Sequence, residues 1–220
     1  MADSVHISGA GNVGGGEYKN ISISGSGEVT SDVRCQSLKS AGSVHIAGSV
    51  ECSGEFKIAG SVRVDGDIKC GSCHLAGSAK VKSIEANGEL WFAGSVIADG
   101  NVSGEKVTID GVANVNGLIN GDEIRIAFDG DGVKANEIGG GTIKIAPKKE
   151  KKAHWFGKKK IKRSEIGTIE GDEIRLELVK ADVVRGANVT IGDGCEIGKV
   201  EYSESIEISE NAHVDCQVKI

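Results

Sequence analysis

Cys70, Cys73 and His74 stand in the stretch IKCGSCHLAGS, residues 68–78, and spell C-x-x-C-H. That spacing attaches haem covalently in c-type cytochromes, where both sulfurs and the imidazole must reach one ligand. A zinc centre would use the same residues, but it needs a second Cys/His pair converging from elsewhere. None has suitable spacing here. A third chemistry is suggested by IGDGCEIG at 191–198, a phrase of the kind found in hexapeptide-repeat acyltransferases. Such an enzyme needs a histidine general base. None of His6, His45, His74, His154 or His213 has a recognisable partner beside it in the sequence. No G-x-x-x-x-G-K-[ST] phosphate loop occurs. Whether any of these chemistries is real depends on which way the side chains point.

The elements that point them follow a six-residue beat. Gly42, Gly48, Gly54, Gly60 and Gly66 keep it strictly, Gly88, Gly94 and Gly100 resume it, and Gly111 and Gly117 continue it. Between glycines stand apolar–polar–apolar triplets such as Val44–Ile46, Val50–Cys52, Phe56–Ile58 and Val62–Val64. Alternation puts two side chains on one face of a short strand, and glycine allows a sharp corner after it. Strands so short are unstable alone, and hairpin turn signals are missing. Coiling the chain into three-sided windings pairs each strand in parallel with its equivalents above and below. The predicted fold is all-β: a parallel three-sided β-helix with sides of about six residues.

With some sides shortened to five residues, seventeen successive first inward positions from Val33 to Ile124 are all Val, Leu, Phe, Ile, Cys or Ala. This register makes Ala86, Phe92 and Ala98 the corners of one layer, where a large ring requires small neighbours. It points Cys70 and Cys73 inward from different sides and His74 outward, which rules out haem attachment. Cys35, Cys52 and Cys70 stack one winding apart, continued by Ala86, and are read as small buried hydrophobes. Trp91 falls outside, one winding above His74 and two above Lys57. No catalytic, cofactor-binding or metal-ligating residue is assigned.

Charge is uneven. Residues 148–163, KKEKKAHWFGKKKIKR, hold nine Lys/Arg and one Glu, so this segment carries +8 within a net charge of −6 and the rest carries −14. Nine cations have no place in an apolar triangle. The expected organisation is therefore a coil over 1–147, a protruding basic loop over 148–163, and the same coil resumed over 164–220. INGDEIRI at 119–126 returns as IEGDEIRL at 169–176, and VKANEIGGGTIKI at 133–145 as VKADVVRGANVTI at 179–191, so a duplicated pair of windings brackets the loop. Beyond it the beat runs through Cys195, Val200, Ile206, Ala212 and Val218. The loop is either a solvated excursion or a contact for an anionic partner. Its candidate residues are Lys148, Lys149, Lys151, Lys152, Trp155, Phe156, Lys158, Lys159, Lys160, Lys162 and Arg163. Rings flanked by cations suit a lipid headgroup region, and phosphate contacts with stacking would suit nucleic acid.

Neither end of the coil carries an evident cap. Val5 and Ile7 at one end, and Val214, Val218 and Ile220 at the other, are candidates for end-to-end stacking of copies. The start, MADSVHISGAG, lacks an export signal and no apolar run is long enough to span a bilayer. Six cysteines are then read as reduced thiols, and a soluble cytoplasmic protein is expected.

SVHIAGSVECSGEFKIAGSVRVDGDIKC and ANVTIGDGCEIGKVEYSES together resemble the bactofilins, polymer-forming bacterial cytoskeletal proteins, in particular the long cytosolic type found in Firmicutes. The resemblance implies a right-handed coil, the hand generally preferred by parallel crossovers. It also implies nucleotide-independent polymerisation through the ends and a non-enzymatic scaffold role without cofactor. The implied partner is the chain itself or a paralogous bactofilin. An anionic membrane or protein partner would dock through the basic loop, with residence at the inner face of the membrane.

Overall fold

The computed structural model describes residues 3–148 and 162–220. Fourteen strands follow one another: β1 (Val5–Val13), β2 (Gly16–Val29), β3 (Val33–Ile46), β4 (Val50–Val64), β5 (Asp67–Val81), β6 (Ser83–Ala86), β7 (Glu89–Ala98), β8 (Val102–Ser103), β9 (Lys106–Phe128), β10 (Val133–Pro147), β11 (Ser164–Leu176), β12 (Val179–Ile191), β13 (Glu196–Ile208) and β14 (His213–Lys219). They form one parallel sheet wound into a β-solenoid of about 12 turns. No helix occurs among the described residues.

Pairing shows how one winding reads the next. Val5 lies beside Ile21, Ile21 beside Leu38, Leu38 beside Phe56, Phe56 beside Cys73 and Cys73 beside Leu90. All seventeen first inward positions are buried. Ala86, Phe92 and Ala98 are buried as well, so the ring at 92 is accommodated by two methyl-sized neighbours. Phe56 finds its room in the axial direction, against Cys73 one winding above.

The glycines turn out to serve two purposes. Gly9, Gly25, Gly42, Gly60, Gly77, Gly94 and Gly111 stack in register along one edge, all with positive φ. A Cβ on Gly60 would sit 2.1 Å from the Gly42 carbonyl oxygen, so this edge is closed to any larger residue on two counts. At Gly48 and Gly66 the backbone is not left-handed; there a side chain would strike the winding below. Equal spacing in the sequence therefore conceals different reasons for glycine.

Beyond residue 126 the coil continues. Ile119, Ile138, Ile169, Val184 and Val200 stack on successive windings. β10 pairs directly with β11, although residues 148–163 separate them in the chain. The Lys148 amide donates to Phe128 O at 2.8 Å and the Lys162 amide to Gly130 O at 2.8 Å. The segment between them thus leaves and re-enters over one tight corner, Asp129–Gly132, where Gly130 and Gly132 have φ of 57° and 73°.

Candidate functional site

Cys70 and Cys73 are buried on different sides of the coil, while His74 stands outside against the edge of Trp91, with ring centroids 6.3 Å apart. The Cys73 thiol is pushed well up by its contact with Cys70 and by burial. Cys35, Cys52 and Cys70 form the expected column, followed by Ala86. Its neighbour below, Tyr18, covers the column's end. The Cys52 thiol donates to Gln36 O at 3.2 Å. Contact with Cys52 and burial hold the Cys35 thiol far above the ordinary range. C-x-x-C-H is thus produced by two inward columns and one outward column crossing the same stretch.

The phrase IGDGCEIG also resolves into inward residues: Ile191, Cys195 and Ile197 are buried. His213, one winding above Glu196, meets Asp215 at 2.8 Å with both side chains exposed on the outer surface. His45 meets Asp65 at 2.8 Å, again outside.

Exposed large aliphatics occur mid-coil, at Ile97 (41%), and in the last windings. Val5 is half-buried over Ile21, and Ile7 is buried over Ile23. Val214 is half-buried beside Ile197, while Ile208 is 38% and Ile220 64% exposed. One register expectation is corrected: Val218 does not continue the inward column. Gln217 pairs with Val200, and Val218 pairs with Glu201. Glu201 faces out, taking Arg185 at 2.7 Å and Lys199 at 2.6 Å. The side after Ala212 takes five residues, as does the one below it from Cys195 to Val200, so that Gln217 and not Val218 takes the inward position. The column Gly121, Gly140, Gly171, Gly186 leads to Tyr202, which packs against the core and pairs with Lys219 on the next winding. Sequence periodicity missed Tyr202 and Ile208 as end residues; the run of glycines below Tyr202 is the signal that would have found it.

Of the basic segment, Lys148, Lys162 and Arg163 are described, and each is held by the coil. Lys148 Nζ meets Asp110 at 2.9 Å and Asp129 at 3.2 Å, contacts that raise its pKa. Lys162 meets Asp131 at 2.8 Å. Arg163 meets Glu196 at 3.2 Å and donates to Gly194 O at 2.6 Å. Lys149, Lys151, Lys152, Trp155, Phe156, Lys158, Lys159 and Lys160 lie outside the described residues.

Residues 1–83 match the family model of the bactofilins, described as polymer-forming cytoskeletal. Two curated proteins of Bacillus subtilis (strain 168) are similar, both named as uncharacterized. YhbF is 38% identical over 104 residues, which cover 47% of this chain and 42% of that protein. YhbE is 32% identical over 107 residues, covering 48% and 44%. The similarity therefore spans less than half the length of these relatives. No solved structure matches the chain. The bactofilin match stops at residue 83, but the winding does not: Ile68 pairs with Ile84 and Leu75 with Phe92, so the coil runs on in register past the matched portion.

Proposed function

We propose that the chain is a non-enzymatic cytoskeletal scaffold whose coils join end to end into filaments without nucleotide. The observation that carries this reading is the set of incompletely covered apolar side chains in the terminal windings, Val5 in the first and Ile208, Val214 and Ile220 in the last two. Docking a second coil there would extend both the parallel hydrogen bonding and the aliphatic core. The polymer-forming description of the bactofilin family supports it, and the lack of a phosphate loop in the sequence supports independence from nucleotide. A paralogous bactofilin is a second candidate partner, since one bacterium holds two proteins similar to this chain. The basic segment 148–163 is proposed to contact an anionic membrane or protein, placing the scaffold in the cytoplasm at the inner face of the membrane. Among the described residues no helix is long and apolar enough to cross a membrane.

Electron microscopy of the purified protein without added nucleotide tests the central claim. Filaments are expected. Single short rods at high concentration would overturn it, and compact trimers would favour the acyltransferase reading instead.

A further inference from the structure

Outward-facing charges on this coil stack by rule. Glu17, Arg34, Glu51, Lys69 and Glu85 occupy one outer column on successive windings and alternate in sign, with ion pairs of 2.7 Å for Arg34–Glu51 and 3.1 Å for Lys69–Glu85. Lys134, Glu165, Lys180 and Glu196 alternate in a second column. Glu170, Arg185 and Glu201 alternate in a third, with contacts of 3.1 and 2.7 Å. Like charges also stack, Lys39 beside Lys57, Arg63 beside Lys80, and a run of three. Arg125, Lys144 and Arg175 lie directly above one another on three successive windings, all exposed. Like charges opposed across adjacent strands, about 4.8 Å apart, destabilise a sheet.

The nearby carboxylates do not relieve them. Glu123, two residues before Arg125, pairs with Lys106 at 3.3 Å. Glu173, two residues before Arg175, takes the Asn188 amide at 2.7 Å. Among the described residues none of the three cations has an ion-pair or hydrogen-bond partner. Lys39 and Lys57, by contrast, share Glu55, at 2.8 and 3.8 Å, and Arg63 beside Lys80 takes Asp65 at 2.8 Å.

We propose that Arg125, Lys144 and Arg175 form a contact for an anionic lipid bilayer on the side of the coil itself, distinct from the basic segment. This deepens the proposed membrane contact and rests on that reading. The side is a flat sheet face, which suits a planar surface better than a bent or grooved polyanion. The same side carries Trp91. Trp91 pairs with Thr108, and the 17-residue offset that pairs Val102 with Ile119 and sets Lys106 against Glu123 places Arg125 one winding above Thr108. An indole in line with cations is the residue pattern of a membrane interface. Each cation near an anionic leaflet strengthens binding about fivefold, and the bilayer supplies the negative charge that the fold withholds.

The test is flotation with phosphatidylcholine vesicles with and without phosphatidylglycerol, because filaments would pellet unaided. The full chain carrying Arg125→Gln, Lys144→Gln and Arg175→Gln is expected to bind the anionic vesicles about a hundredfold more weakly. A loss smaller than about tenfold overturns the proposal. A second variant, with glutamine at Lys149, Lys151, Lys152, Lys158, Lys159 and Lys160, separates the two contacts. If it alone abolishes flotation while the triple variant floats normally, the segment binds lipid and the column does not. Loss of affinity for a single-stranded oligonucleotide in the triple variant, with flotation unchanged, would assign the face to nucleic acid and overturn the bilayer. Microscopy of the same samples without vesicles reports filament formation separately, so a failure of the scaffold reading is seen independently.

Discussion

Ser40 interrupts a column of aliphatics: Ile23 lies below it and Ile58 above, and its hydroxyl is buried without a hydrogen-bond partner among the described residues. An unsatisfied buried hydroxyl costs about 1–3 kcal/mol. Ser40→Ala is therefore expected to stabilise the coil by about 1 kcal/mol, read as a rise in thermal midpoint by circular dichroism; an unchanged or lower midpoint would contradict it. A methyl added at Gly60 has the opposite effect, because it meets the Gly42 carbonyl oxygen at a φ of 131°. Gly60→Ala should cost about 2–4 kcal/mol, through strain and a clash that backbone cannot avoid. At this scale the sequence was readable wherever a residue type answers to burial alone. Cys70, Cys73 and His74 could be sorted into inward and outward positions, and the haem reading dismissed, without coordinates. Which glycines sit in the left-handed region could not be seen, because Gly48 and Gly60 look alike in a six-residue beat.

Between windings, the outer surface is held in register by pairs that titrate. The carboxyls of Asp65, Asp67, Glu55, Glu165 and Glu201 are drawn below their ordinary values, chiefly by hydrogen bonds from His45, Ser83, Lys39, Lys134 and Lys199 respectively. A carboxyl whose folded pKa is lowered contributes stability that is complete above its unfolded value, near 4, and is lost as pH falls through the lowered one. The thermal midpoint should stay level from neutral pH to about 5 and fall as pH drops below about 4. A midpoint that holds or rises toward pH 3 would refute this. The pairs lie on the outer surface, with Glu55 and Glu201 partly covered, so the loss per pair is small. The strands were legible as far as Ile124 because the apolar beat there is unbroken. Val218 was misplaced because the side after Ala212 takes five residues and not six, and the polar Gln217 at the inward position gives a periodic reading no sign of it. The column Arg125, Lys144, Arg175 was invisible for another reason. Those residues are 19 and 31 positions apart, and the basic segment lies within the second interval.

For the molecule as a unit, the proposed assembly is tested at the ends. Ile208 contributes no buried polar group, so Ile208→Asp should leave the thermal midpoint of the isolated coil almost unchanged while placing a charge in a dry joint, which is strongly unfavourable. Filament length by electron microscopy should fall sharply; full-length filaments would remove the end with Ile208 from the joint. A matching Val5→Asp variant reports on the other end, and different responses would show that the two ends are not equivalent in the joint. The corner at Asp129–Gly132 has its own consequence. Since β10 and β11 stay in register across sixteen intervening residues, the length of chain hung there is decoupled from the rise of the spool. A lineage can lengthen, recharge or replace that pendant without re-tuning the polymer that displays it, and an engineer can hang a fluorescent tag at the same place.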